Sequence, residues 1–129
     1  MNRTLTFARL RAANLARLPC FTDRQGRLAH PPVEGEPPGF DWSIADWVQA
    51  VTGELGEFAN LAKKVRRGDL TLDAARPDLA KELADVVIYL DILAHRCGVD
   101  LGEATVAKWD EVSERIGVEL RIDDPENDR

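Results

Sequence analysis

An all-α fold is what this sequence predicts, and three observations predict it. Helix formers such as Ala, Leu, Glu, Lys and Arg dominate the chain. Apolar residues recur at spacings of three and four through several long stretches. Only 6% of residues are aromatic, so a core has to be assembled from aliphatic helix faces. With 129 residues, 44% of them hydrophobic and 31% charged, the chain suits one domain. That domain is expected over residues 1–122, with a disordered acidic tail over 123–129.

The first helix is expected from Thr4 to about Leu18, where Phe7, Leu10, Ala13, Leu15 and Leu18 supply the apolar positions and Pro19 closes the segment. Between Asp23 and Trp42, three glycines and four prolines rule out a helix or a central strand. A loop of that length in a small domain is often a lid or a substrate-contacting segment. Ser43, with Asp46 three residues on, marks the start of a second helix that runs to about Arg67 and stops at Gly68. Its stripe of Ile44, Trp47, Val48, Val51, Leu55, Phe58, Ala62 and Val65 is expected to be buried.

Pro77 suits the first turn of a third helix, along which Leu79, Leu83, Val86, Leu90, Leu93 and Cys97 keep a helical period until Gly98. Asp100 is a cap for a fourth helix over Leu101 to Ile116.

The formal net charge of -6 gives the chain no basic field for nucleic acid or an anionic membrane, so neither is an expected partner. No apolar run approaches the length needed to cross a bilayer. Cys20 and Cys97 show no metal-type spacing and read as reduced thiols, which points to a cytoplasmic setting. An arginine-rich, acid-free N-terminus also fits a transit peptide, though the same stretch reads as a helix.

Chemistry enters with the acids. Glu54 and Glu57 lie three apart and share one side of the second helix, beside its apolar stripe, and Glu82 and Asp85 repeat the arrangement on the third. If these helices pack antiparallel, the pairs face one another and four carboxylates converge. Like charges at that range raise each other's pKa, a conflict that a hard divalent cation resolves. Mg2+ suits oxygen ligands and is usually shared with substrate phosphates, and Mn2+ is a plausible substitute. Acids three apart are also ordinary surface decoration, and spacing alone leaves the choice open.

The words around the acids are more specific. Gly53-Glu54-Leu55-Gly56-Glu57-Phe58-Ala59-Asn60-Leu61-Ala62-Lys63-Lys64, then Lys81-Glu82-Leu83-Ala84-Asp85-Val86-Val87-Ile88-Tyr89-Leu90, closely resembles the MazG-like all-α nucleoside triphosphate pyrophosphohydrolases, with their E-x-x-E, spacer and E-x-x-D. The resemblance implies a four-helix bundle assembled as a homodimer or homotetramer, with active sites near subunit interfaces. It implies Glu54, Glu57, Glu82 and Asp85 as Mg2+ ligands, Glu54 or Glu57 as the group that activates water, and cleavage of a nucleoside triphosphate, a dNTP foremost, between the α and β phosphates.

Lys64 lies near the azimuth of Glu57 and is a candidate phosphate clamp, and Tyr89, a turn beyond Asp85, could support a ligand or a phosphate. Lys108 and Arg115 match the segment that the family uses to reach phosphates, although Asp110 departs from its pattern. Asn14 and Arg17 resemble a polar pair near the nucleotide, while His30, Trp42 and Trp47 resemble base-enclosing residues; Trp47 also falls on the core stripe. No Glu-x-x-His accompanies His95, which disfavours a di-iron bundle. The competing readings are a non-catalytic helical oligomerisation module and the related phosphoribosyl-ATP pyrophosphatase.

Overall fold

The computed structural model describes residues 3–122 and builds them from four α-helices joined by loops and one short 3-10 turn. The expected tail over 123–129 lies outside the described residues. Helix α1 runs Phe7–Arg17, shorter than expected at its start, because Thr6 is extended and its side chain accepts from the Arg9 amide. The 3-10 turn Leu18–Cys20, with Pro19 in it, then ends the segment.

Helix α2, Ile44–Arg67, opens on a reciprocal capping box. Ser43 Oγ accepts from the Asp46 amide at 3.1 Å, while Asp46 Oδ2 accepts from the Ser43 amide at 2.9 Å. It closes at Gly68, whose φ of +83° is a left-handed conformation that a Cβ would penalise.

Helix α3 runs Leu72–Arg96 and therefore begins a turn earlier than Pro77 suggested. Thr71 caps it through the Ala74 amide, and Pro77 sits inside the helix, where it forfeits only the bond to the carbonyl four residues back. Helix α4, Leu101–Ile116, follows its expected Asp100 cap and stops at Gly117.

The most extensive packing is between α2 and α3, which the short 68–71 connection folds back antiparallel. Leu18, Trp47 and Ile92 form the buried core at the end of this pair where α2 starts and α3 finishes. Trp42, Ala50, Ile88, Tyr89 and Leu93 pack around it. Trp47 is fully buried, and its indole Nε1 donates to the Gly39 carbonyl at 2.9 Å, so the one polar atom of the ring is satisfied.

A second pin joins α1 to α3. Asp91 is only 1% exposed and is held by Arg11 Nε at 3.1 and 3.3 Å and by Asn14 Nδ2 at 3.0 Å. Arg11 also donates to the Val99 carbonyl and so ties down the start of the turn into α4. The Gly- and Pro-rich loop is clamped onto α3: His95 Nε2 meets the Pro38 carbonyl at 2.9 Å, Arg96 donates to the Trp42 carbonyl, and its guanidinium lies over the Phe40 ring at 4.2 Å.

The apolar stripes are less covered than periodicity predicts. On α2 only Trp47 is buried, whereas Ile44, Val48 and Leu55 are exposed, and on α3 Leu83, Val87 and Leu90 are exposed. Two long helices bury the strip where they meet, and α1 and α4 cover part of α3, while Ile44, Val48, Leu55, Leu83, Val87 and Leu90 stay exposed among the described residues. Among the described residues, no helix is long and apolar enough to cross a membrane.

Candidate active site

The antiparallel register of α2 and α3 decides which acids meet. The alignment that sets Trp47 in one cluster with Ile92 sets Glu54 near Asp85 and Glu57 against Glu82, with Leu61 beside Asp78 further along. Glu54, Glu82 and Asp85 each offer one carboxylate oxygen, and these oxygens lie within 4.8 Å of one another. Glu57 stands at the exposed edge of the trio, close enough to both Glu54 and Glu82 for side-chain hydrogen bonding.

Electrostatics in this cluster are unfavourable without a cation. Desolvation first, and then the charges of Glu57 and Asp85, raise the Glu54 pKa above the usual carboxylate range. Desolvation, followed by hydrogen bonding and repulsion from Glu57 and Glu54, raises Glu82 to about 7. Glu54 Oε2 and Glu82 Oε2 are buried and have no hydrogen-bond partner. Buried acceptors without donors are costly, and a hard cation with oxygen ligands is the species that satisfies several at once. The donor set, all carboxylate, fits such an ion.

Next to the acids opens a cavity of about 440 Å³, lined by Asp85, Tyr89, Asn14, Arg17, His30, Trp42 and Trp47 among others. It therefore connects one member of the trio to an aromatic chamber. Trp42 and Trp47 have ring centroids 4.6 Å apart, and His30 stacks on Trp47 at 5.1 Å. His30 Nδ1 lies 3.0 Å from Asp41 Oδ2; a carboxylate only accepts, so Nδ1 carries the proton of this bond. Desolvation, and then the charges of Glu54 and Asp85, push the Tyr89 phenol above its ordinary pKa, which keeps its hydroxyl protonated beside the acids.

The structure brings Asn14, Arg17 and Tyr89 to this cavity, along with His30 and both tryptophans. Arg17 is exposed, and its guanidinium lies over Phe21 at 5.6 Å. Other candidates lie elsewhere. Lys64 is exposed and stands about 10 Å further along α2 than Glu57 by helical rise. Lys108 and Arg115 are on α4, which touches α1 and α3 but not α2. Lys108 pairs with Glu111 at 2.9 Å and lines an apolar groove on α4 rather than the acidic cavity. Lys108 is therefore turned to its own helix and to this groove rather than to the acids. Asp110, the departure from the family pattern, accepts from the Ile122 amide at 3.3 Å and so holds the chain after α4.

Asp91, Arg11 and Asp41 carry the support of this cavity and were not candidates on sequence grounds. The available signal was Asp91 itself, a lone acid in the apolar run Val86 to Ala94.

Several curated proteins resemble the chain. The proteins named dCTP pyrophosphatase 1 from Rattus norvegicus and Mus musculus are each 40% identical to it over 75 residues, which is 55% of this chain and 44% of theirs. The protein of that name from Homo sapiens is 42% identical over 65 residues, 47% of this chain and 38% of its own. The chain thus spans less than half the length of these curated relatives. No family model matches the chain, and no solved structure matches it significantly. The resemblance to the MazG-like all-α pyrophosphohydrolases, read from the two acidic motifs, is borne out by these homologues.

Proposed function

We propose that this chain is a divalent-metal-dependent nucleoside triphosphate pyrophosphohydrolase that converts a (d)NTP to the (d)NMP and pyrophosphate. The observation that carries the reading is the trio Glu54, Glu82 and Asp85, with orphaned oxygens on Glu54 and Glu82 and with Asp85 lining an aromatic-walled cavity. The relatives named dCTP pyrophosphatase 1 support the same chemistry and make dCTP the first substrate to try.

In this reading the trio, completed by Glu57 at its edge, holds Mg2+, or Mn2+ in its place. The ion supplies neutralisation of the charge that develops on the phosphoryl oxygens. Glu57 or Glu54 orients a water and takes its proton as the water oxygen bonds to the α-phosphorus. The bond from that phosphorus to the bridging oxygen breaks, and pyrophosphate leaves. Tyr89 offers its protonated hydroxyl to a phosphate oxygen, and the Trp42 and His30 rings, backed by the buried Trp47, enclose the base.

The exposed apolar residues on α2, α3 and α4 support assembly with a second copy, as a homodimer or homotetramer. In that assembly Lys108 and Arg115 reach the phosphates bound by a neighbouring subunit. Free, exposed Cys20 and Cys97 suit a cytoplasmic setting.

The test is a panel of dNTPs and NTPs incubated with purified protein, with and without Mg2+. Metal-dependent release of pyrophosphate and the nucleoside monophosphate is expected. Consumption of no triphosphate at high enzyme concentration, or release of orthophosphate and the diphosphate instead, rejects the assignment.

A further inference from the structure

The acids stand between two openings of different character. Asp85 lines the aromatic cavity, whereas Glu57 and Glu82 line a second, open depression of about 320 Å³. Asn60, Leu61, Asp78 and Lys81 complete its wall. Asn60 lies one turn after Glu57 on α2, and Lys81 lies one turn before Asp85 on α3. In the antiparallel pair both therefore stand beyond the acids on the side away from Trp47 and Ile92. The two openings follow one another along the helix axes, with the carboxylates between them.

The wall of this depression carries donors that the fold leaves unspent. Lys81 is exposed, and among the described residues its ammonium makes no ion pair or hydrogen bond, although Asp78 and Asp85 flank it on the same helix face. Asn60 is exposed as well, and no hydrogen bond among the described residues occupies its amide. An ammonium with three N–H donors beside a carboxamide with two suits an oxyanion. The carboxylates of Glu57, Asp78 and Glu82 share the wall, so a bare polyanion is repelled and one carried with a divalent cation is admitted.

A chain of phosphates matches this layout. With the base in the aromatic cavity, the phosphates run past the acids toward α2's later turns. Asp85 and Lys81 are about 6 Å apart by helical rise, the length of two phosphoanhydride links. An α-phosphorus level with Asp85 therefore sets the β and γ phosphates over Asn60 and Lys81. Lys108, in contrast, lines the α4 groove and shares no wall with the acids.

We infer that this depression is the seat of the leaving group: Lys81 and Asn60 bind the β and γ phosphates as their metal chelate. There they stabilise the charge that pyrophosphate gains as its bond to the α-phosphorus breaks. The inference rests on the proposed function for the direction in which the substrate lies.

Calorimetric titration with pyrophosphate in Mg2+ buffer, and separately with dCMP, tests it without turnover. The wild-type chain is expected to bind pyrophosphate and to lose most of that affinity when Mg2+ is withheld. Lys81→Met and Asn60→Ala are each expected to weaken pyrophosphate binding at least about tenfold, the loss of a hydrogen bond to a charged group. Both should leave dCMP affinity within about twofold of wild type, and Mn2+ affinity, read by electron paramagnetic resonance, likewise. Lys81→Arg, which keeps the charge, should retain most of the pyrophosphate affinity. Pyrophosphate bound equally well by Lys81→Met overturns the inference, as does binding undiminished without Mg2+. A parallel loss of dCMP or Mn2+ affinity also overturns it, because the residue would then act on the fold or the metal. If no triphosphate is cleaved while pyrophosphate affinity still depends on Lys81, the proposed reaction falls and the anion site stands. If triphosphates are cleaved and Lys81→Met keeps its pyrophosphate affinity, the reaction stands and the site falls.

Discussion

Trp47 Nε1 and the Gly39 carbonyl, 2.9 Å apart, join the deepest side chain of the core to the last turn of the Gly- and Pro-rich loop. Gly39 has a φ of +88°, and a Cβ there would lie 3.2 Å from Leu18 Cδ1 and 3.6 Å from the Trp47 ring. Gly39→Ala meets both a left-handed backbone and a crowded core, and should cost about 2 kcal/mol of stability. Urea denaturation measures it. A cost near zero would mean that the loop is not seated on Trp47 in solution.

The Arg11–Asp91 pair makes a larger prediction. Removing the guanidinium leaves a carboxylate that is 1% exposed, served among the described residues by the Asn14 amide. Arg11→Met should therefore destabilise by about 3 kcal/mol, and adding Asp91→Leu should recover part of that loss, because an apolar pair carries no desolvation penalty. A double variant no more stable than Arg11→Met would show that the pair is replaceable by nothing apolar at this site.

These two contacts mark the boundary of what the sequence reveals. Caps at Ser43 and Asp100 and the stop at Gly68 were readable because the chemistry of a helix end lies within a few residues. The start of α3 was misread for the same local reason, since Pro77 is a good first-turn residue and Thr71 is an equally good cap. The two acidic pairs were readable as facing sets because antiparallel packing of adjacent helices follows from a short connection. Periodicity identifies apolar faces but not their cover, so Leu55 is expected inside and is exposed. The Arg11–Asp91 bond spans 80 residues, and no spacing rule reaches across such a separation. Asp110 departs from the family pattern, and its partner, the Ile122 amide, lies beyond the helix where no local rule points to it.

Glu82 predicts a dependence on pH. In the metal-free chain its pKa stands at about 7, above the ordinary value of 4.5. Between these two pH values the folded chain holds a proton that the unfolded chain has released, so this group lowers stability as pH rises from about 4.5 to 7. Glu82→Gln removes the titration. In metal-free buffer the variant should gain Tm relative to wild type as pH is raised from 5 to 8, and Mg2+ should narrow the gap by stabilising the wild type. A Tm difference that is flat across this range would contradict the raised pKa.

The carboxylate trio predicts which substitutions weaken metal binding. Glu54→Gln and Asp85→Asn each remove a charge from the trio without removing bulk. Both should weaken Mn2+ binding, read by electron paramagnetic resonance, by at least tenfold, a factor that corresponds to about 1.4 kcal/mol. Their helical circular dichroism should be unchanged. Lys64→Ala, further along α2, should leave Mn2+ binding as it is. Full metal affinity in Asp85→Asn would mean that the ion sits elsewhere.

Assembly gives the last prediction, from the placement of Lys108 and Arg115 on a helix that does not touch α2. If these cations serve a neighbouring subunit, chains lacking them and chains lacking the acids are defective in different halves of one composite site. Arg115→Ala and Glu54→Gln proteins should each be inactive alone, and mixing them after dissociation should restore up to about a quarter of wild-type turnover per chain, the statistical share of intact composite sites in a random dimer. Light scattering on the wild type should report more than one chain per particle, and Leu83→Glu, on an exposed part of α3, should reduce it if that face is the contact. Activity in a strictly monomeric Leu83→Glu protein would place the phosphate cations within a single chain and refute the shared site.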